Sequence, residues 1–423
     1  MGLIGPMGPI GPSNAGSPTA SGSRLLFVDN LRTVIIILVM MVHLSITYGG
    51  EGSWYYEEGK PDMFSGIVLT LHNGVNQSFF MGCLFLISGY FTPASFDRKG
   101  PRRFLVDRLV RLGIPMVFYD LIIHPFIVYW LARNGVIKHT GSFWDWATSY
   151  YTSFHIGCGP LWFVEALLLF SLVYMVWRLG GRTAVPSSAE SFKPPSISPL
   201  AVLALSLGIV SFLVRVWKPI GWSYEPLNFQ LPFFPQYVVM FILGIIAYRR
   251  QWLTEISTAV GRSLLILASV FVLVLSPLLV VLGGGADGDV SRFMGGLQWQ
   301  ALAMALWEQS LGVMLTAGLI VLFRERFNCH GRLSEVASAN SYAAYVIHAP
   351  VLIVFTLMVR EIHLYPPAEV RTRHARRSPP MFQPGGSDPP SARCPASPIG
   401  PMNPSESPTE GESRQWPLRC HSH

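Results

Sequence analysis

Arg32 and His43 are the residues from which a chemistry can first be read. Both stand in one apolar run, RLLFVDNLRTVIIILVMMVHLSITYGG, eleven positions apart. Eleven residues are close to three turns of α-helix, so the two side chains share a face, with His43 about 16 Å further along. A bilayer's hydrocarbon core is about 30 Å thick, which sets the imidazole near mid-depth. A titratable ring there is costly unless it faces protein or a water-filled cavity, and that cost makes it a functional candidate. Imidazole takes up and releases protons close to physiological pH. A guanidinium fork grips phosphate or carboxylate oxygens. The plainer alternatives are a histidine hydrogen-bonded to a neighbouring helix and an arginine that snorkels to the interface. Asp29, three residues before Arg32, is spaced to pair with it.

Other polar residues fall in or beside apolar runs. Arg108 and Arg111 lie about one turn apart, where they either hold phosphates or set membrane orientation. Asp120 and His124 are spaced to share a helix face and pair. Glu165 stands near the end of one run, and Glu308, in LWEQS, near the middle of another, the costlier place. Ser341, Tyr345 and His348, at i, i+4 and i+7, form one face that lines a cavity or ties helices by hydrogen bonds. Ser88 and Gly89, in FLISGYF, read as close helix packing, since no elbow context supports a nucleophile.

Only apolar helices could carry such residues. Half of the 423 residues are hydrophobic and 13% are charged, against about 25% charged in soluble domains. The mean hydropathy is +0.39. With apolar runs of about 20 residues, this composition predicts an all-α fold, a polytopic transmembrane helix bundle of about 9–10 spans. Nine runs are readable, at about residues 31–48, 71–91, 114–131, 161–177, 200–216, 236–248, 263–282, 297–323 and 342–359. The net charge of +7 sits mostly in short loops, densest at residues 97–112, which fits orientation in a lipid bilayer and not nucleic-acid binding. The loops after even-numbered runs hold most of the Lys and Arg, so the positive-inside rule predicts a cytoplasmic N-terminus. The Trp/Tyr-rich residues 142–154 read as interfacial. Cys83, Cys158, Cys329, Cys394 and Cys420 are odd in number and lack metal-ligand spacing, which predicts neither a zinc site nor a disulfide framework. Residues 1–23 have Gly at positions 2, 5, 8 and 11, too few repeats for a triple helix, and read as a disordered tail. Residues 24–360 then form the membrane domain, and the Pro/Ser/Arg-rich residues 361–423 a second disordered tail.

Five motifs in order carry a resemblance: the Arg32/His43 pair, FLISGYF closing the second run, RLVRLGIP opening the third, GPLWFVEALLLF in the fourth and NSYAAYVIH in the ninth. Over about residues 24–359 the chain resembles the acyltransferase 3 superfamily, integral membrane proteins that move acyl groups onto sugars and other acceptors. Within it the chain is similar to the branch of glucan biosynthesis protein C-like acyltransferases. The resemblance implies a ten-span fold, acyl-CoA as a co-substrate from the cytoplasm with no bound cofactor, and a carbohydrate or other hydroxyl acceptor. His43 matches the family's essential histidine, and Arg32 the arginine of the same motif. The family's tenth span would follow Val359, where this chain carries its Pro/Ser/Arg-rich stretch. Acyl transfer from a thioester needs a base for the hydroxyl proton and stabilisation of an oxyanion. On this reading His43 is the general base, and Arg32, Arg108 and Arg111 hold the donor's phosphates. Glu308 serves the acceptor pocket or orients an imidazole, and Glu165, Tyr345 and His348 contact the acceptor. Two alternatives stand beside it. One is a small-molecule transporter or flippase, which buried ionisable residues also suit. The other is an inactive relative lacking the last span.

Overall fold

The computed structural model describes residues 25–59, 61–137, 141–152, 159–181, 194–224, 227–285, 290–329 and 331–360. All of them belong to one compact unit, Met1–Pro367; a second, Ala368–His423, lies outside the described residues, as do both expected tails. An unpaired peptide group in hydrocarbon costs several kcal/mol, so apolar runs close their hydrogen bonds internally as helices. The first is α1 (Leu26–Thr47). Next come α2 (Met63–Arg108), α3 (Ile114–Phe118) and α4 (His124–Arg133), joined into one run. A short α5 (Phe143–Thr152) precedes α6 (Trp162–Gly180), α7 (Ile197–Trp217) and α8 (Phe234–Arg250). The one-turn α9 (Trp252–Glu255) leads into α10 (Thr258–Val270) and α11 (Ser276–Leu282). The one-turn α12 (Ser291–Met294), α13 (Trp299–Arg326) and α14 (Arg332–Val359) complete the described chain.

Eight runs are long and apolar enough to cross a membrane, and helix direction shows that one of them must cross twice. Asn30, at the start of α1, donates to the carbonyls of Phe327 and Cys329, just before α14. Arg32 reaches the Ser338 carbonyl at 3.4 Å, and His43 lies beside His348. Both helices therefore ascend together and are parallel. Parallel first and last spans require an odd number of crossings, and eight is even. The run Met63–Arg133 resolves this: its 71 residues would reach roughly 100 Å if straight, some three bilayer cores. Gly100 breaks it with φ 71° and ψ 168°, directly before Pro101. The nine apolar segments of the sequence correspond to these runs, the second and third meeting at Gly100.

Three five-residue π-turns interrupt the helices, at Leu109–Gly113, Tyr119–Ile123 and Phe271–Leu275. Two residues beyond each stands a proline: Pro115, Pro125 and Pro277. Proline lacks an N–H, and its ring clashes with the carbonyl four residues back. Those carbonyls belong to Arg111, Leu121 and Leu273, each inside its π-turn. The wider turn relieves the clash. The freed Arg111 carbonyl accepts from the Tyr342 hydroxyl at 2.8 Å, and that of Leu121 from the Tyr151 hydroxyl.

Close packing rests on a few small residues. A Cβ on Gly89 would stand 2.1 Å from the Phe241 carbonyl oxygen, and one on Gly244 would stand 2.1 Å from that of Leu86, so α2 and α8 touch backbone to backbone. Gly312 of α13 meets the Ser78 carbonyl in the same way. The expected packing role of Gly89 has this physical form. Between α7 and α13, Arg215 is fully buried and pairs with Glu308 at 2.8 Å. Asp62 caps α2, accepting from the Ser65 N–H at 3.1 Å and its hydroxyl at 2.6 Å.

Candidate active site

α1 and α14 bring two imidazoles together. The rings of His43 and His348 lie 5.2 Å apart, stacked at 17°. His43 stands one turn before the end of α1, and the following chain folds back over it. Trp54, in that returning segment, stacks on His43 at 3.9 Å and lies 6.0 Å from His348. The mid-depth expected for His43 thus becomes a place near a helix end, roofed by aromatic side chains. His43 remains partly exposed, while its Nδ1 is buried without a hydrogen-bond partner among the described residues.

His348 is held more firmly. It is 3% exposed, and its Nδ1 meets the carbonyl of Tyr345, one turn earlier on α14. A carbonyl can only accept, so Nδ1 carries the proton and Nε2 keeps its lone pair. That Nε2 is buried with no partner among the described residues. Tyr345 is buried as well, and its hydroxyl donates to the Pro160 carbonyl, tying α14 to the chain ahead of α6. Ser341, on the same face, donates to Ser338 at 2.9 Å.

Aromatic and polar groups extend the site. Tyr55 packs edge-on against Trp54, and its hydroxyl lies 3.0 Å from that of Tyr119. His124 bonds through Nδ1 to the Tyr150 hydroxyl of α5 at 2.7 Å. Its expected pairing with Asp120 does not form in the structure, and Asp120 Oδ1 is buried without a hydrogen-bond partner among the described residues. His124 Nδ1 is taken instead by the Tyr150 hydroxyl. Asp120 instead faces Glu165 of α6 closely enough for their charges to interact.

The arginines gather at the opposite end. Arg32 lies 3.4 Å from Asp29, as its spacing predicts, and meets Ser338 near the start of α14. The Arg111 carbonyl meets Tyr342 one turn further along that helix. The Arg111 guanidinium is 2.8 Å from Asp107, and Arg108 lies over the Phe104 ring at 5.0 Å. A cleft of about 620 Å³ opens among Arg102, Arg103, Asp107 and Arg111. Glu308 belongs to a separate cluster: its Oε1 accepts from Arg215 and, at 3.0 Å, from Gln309.

Sequence reasoning found both histidines but not their contact, and it missed Trp54, Tyr55 and Arg215. A WYY triplet soon after a His-bearing helix end was the available signal for the first two.

Comparison with known proteins adds a family assignment. Residues 25–372 match a family model described as an acyltransferase domain. Glucans biosynthesis protein C of Escherichia coli O157:H7 is 28% identical over 249 residues, covering 56% of this chain and 62% of the relative. The protein of the same name from Escherichia coli O9:H4 aligns with the same figures. The chain thus spans about three-fifths of the length of these curated relatives. No solved structure matches it.

Proposed function

The chain belongs to the acyltransferase 3 family, whose domain it matches over residues 25–372, and on that premise we propose that it is a membrane-bound O-acyltransferase. Acyl-CoA is the donor and a hydroxyl of a carbohydrate or other small molecule the acceptor. The observation that carries this reading is the spacing of two groups along one face of α1. Arg32 stands at the basic end, and the His43–His348 pair stands about 16 Å further along. A CoA thioester is built to that plan, with phosphates at one end of a long flexible arm and the reactive carbonyl at the other.

Arg32, Arg108 and Arg111 hold the phosphates by charge-assisted hydrogen bonds. His43 takes the proton of the acceptor hydroxyl as its oxygen attacks the thioester carbonyl. The new C–O bond forms, the C–S bond breaks, and the departing thiolate receives the proton from His43. The aromatic roof of Trp54 and Tyr55 limits water, which would otherwise hydrolyse the donor. The positive-inside pattern supports a cytoplasmic basic end, the side from which acyl-CoA arrives. The printed name of the relatives, which concerns glucans, supports a carbohydrate acceptor.

The test is CoA release from a panel of acyl-CoAs by the full chain in lipid nanodiscs, with and without carbohydrate. Replacing His43 by Ala removes a general base and is expected to lower turnover by about 10²–10⁴-fold while the protein elutes normally. Equal turnover by the variant, or none by well-folded wild type, would defeat the proposal.

A further inference from the structure

The least accounted-for atom in the site is Nε2 of His348. Its lone pair is fixed by the Nδ1 bond to Tyr345, it is buried, and it has no partner among the described residues. A buried acceptor left unsatisfied costs about 1–3 kcal/mol, so a donor group is expected to fill the position when the site is in use. The reacting hydroxyl is unsuited to that task. It has one proton, and in the reading above that proton goes to His43. The two rings are also stacked, and imidazole lone pairs lie in the ring planes, so one hydroxyl cannot lie in line with both.

We propose that His348 selects the acceptor: its Nε2 accepts a hydrogen bond from a second donor group next to the reacting hydroxyl, so the acceptor is a 1,2-diol or an amino alcohol and not a simple alcohol. This rests on the acyl-transfer reading and adds to it which neighbouring group the acceptor must carry. A site built to hydrogen-bond a substrate group discriminates strongly against the analogue lacking it, because its own polar atom is then stranded.

Two measurements on the full chain in nanodiscs decide the matter. In the first, propane-1,2-diol and propan-1-ol are compared as acceptors of the acyl group. Wild type is expected to favour the diol by about a hundredfold or more in kcat/KM. His348→Phe should raise KM for the diol and lower kcat/KM for it far more than for propan-1-ol, erasing the preference. His348→Gln, whose amide oxygen can stand near the position of Nε2, should restore part of it. A variant that slows both acceptors equally has a structural role only and overturns the proposal, as does a wild type without preference.

The second measurement needs no turnover. Diethyl pyrocarbonate modifies unprotonated imidazole nitrogens, and mass spectrometry reports the peptide carrying His348. Slower labelling in the diol than in equimolar propan-1-ol supports the proposal. Equal labelling in both, or a His348 that never reacts, overturns it. Absence of CoA release from wild type would count against acyl transfer alone, with the labelling still deciding whether Nε2 binds a diol.

Discussion

Trp54 lies flat on His43, so the imidazole's surroundings are set by a side chain far from it on any helical plot. Trp54→Ala opens that face to water. It is expected to raise CoA release without ester formation, so the ratio of hydrolysis to transfer climbs, while Trp54→Phe keeps most of the wild-type ratio. Quantifying thiol and ester in the same reaction checks this. His43 was legible in the sequence because a titratable ring in an apolar run has few cheap explanations. Trp54 was not, because an aromatic residue in a polar loop has many. The pairing of His43 with His348 lay between the two cases. Each stood out on its own helix, but only the parallel packing of α1 and α14 joins them.

Among the elements, the existence and order of the spans were legible, since apolar length alone defines them, but some starts were not: α2 begins at Met63 and α14 at Arg332, well ahead of the apolar runs. The irregular turns inside them were not, and they altered the site. The π-turn at Tyr119–Ile123 frees the Leu121 carbonyl for the Tyr151 hydroxyl of α5, and its cause is Pro125, visible in the sequence but ambiguous between a kink, a break and a π-turn. Helix contacts give three predictions. Gly89→Ala drives a methyl group into the Phe241 carbonyl and should destabilise the bundle by about 1–3 kcal/mol or more, read as a lowered thermal midpoint in detergent. Arg215→Ala leaves the buried Glu308 carboxylate unpaired and should cost about 3–5 kcal/mol, whereas Arg215→Met combined with Glu308→Leu should recover most of the loss. The Asp62 cap has a pH signature. Its bonds to Ser65 hold the carboxyl below its usual range, so the cap's contribution is complete above the unfolded value and is lost as pH falls through the lowered one. The first turn of α2 should therefore keep the cap's full protection against hydrogen exchange at neutral pH and lose it only below about pH 4.

At the scale of the molecule, the odd number of crossings fixes the side on which each loop lies. Because Met63–Arg133 crosses twice, the exposed residues Glu57 and Asn134, which bracket it, lie on the same side of the membrane. Glu57→Cys and Asn134→Cys, each in a chain otherwise free of cysteine, should both react with an impermeant maleimide from that one side. Labelling of the two from opposite sides would return the count to eight. The same parallel arrangement has a consequence in time. His348 follows His43 by about three hundred residues, so at 5–20 residues per second it leaves the ribosome roughly a quarter of a minute to a minute later. Throughout that interval α1 sits in the bilayer with its imidazole ready and its companion unmade. Order of synthesis thereby completes the site last: the two-imidazole arrangement first exists when α14 arrives, and an unfinished chain holds only one of its two rings.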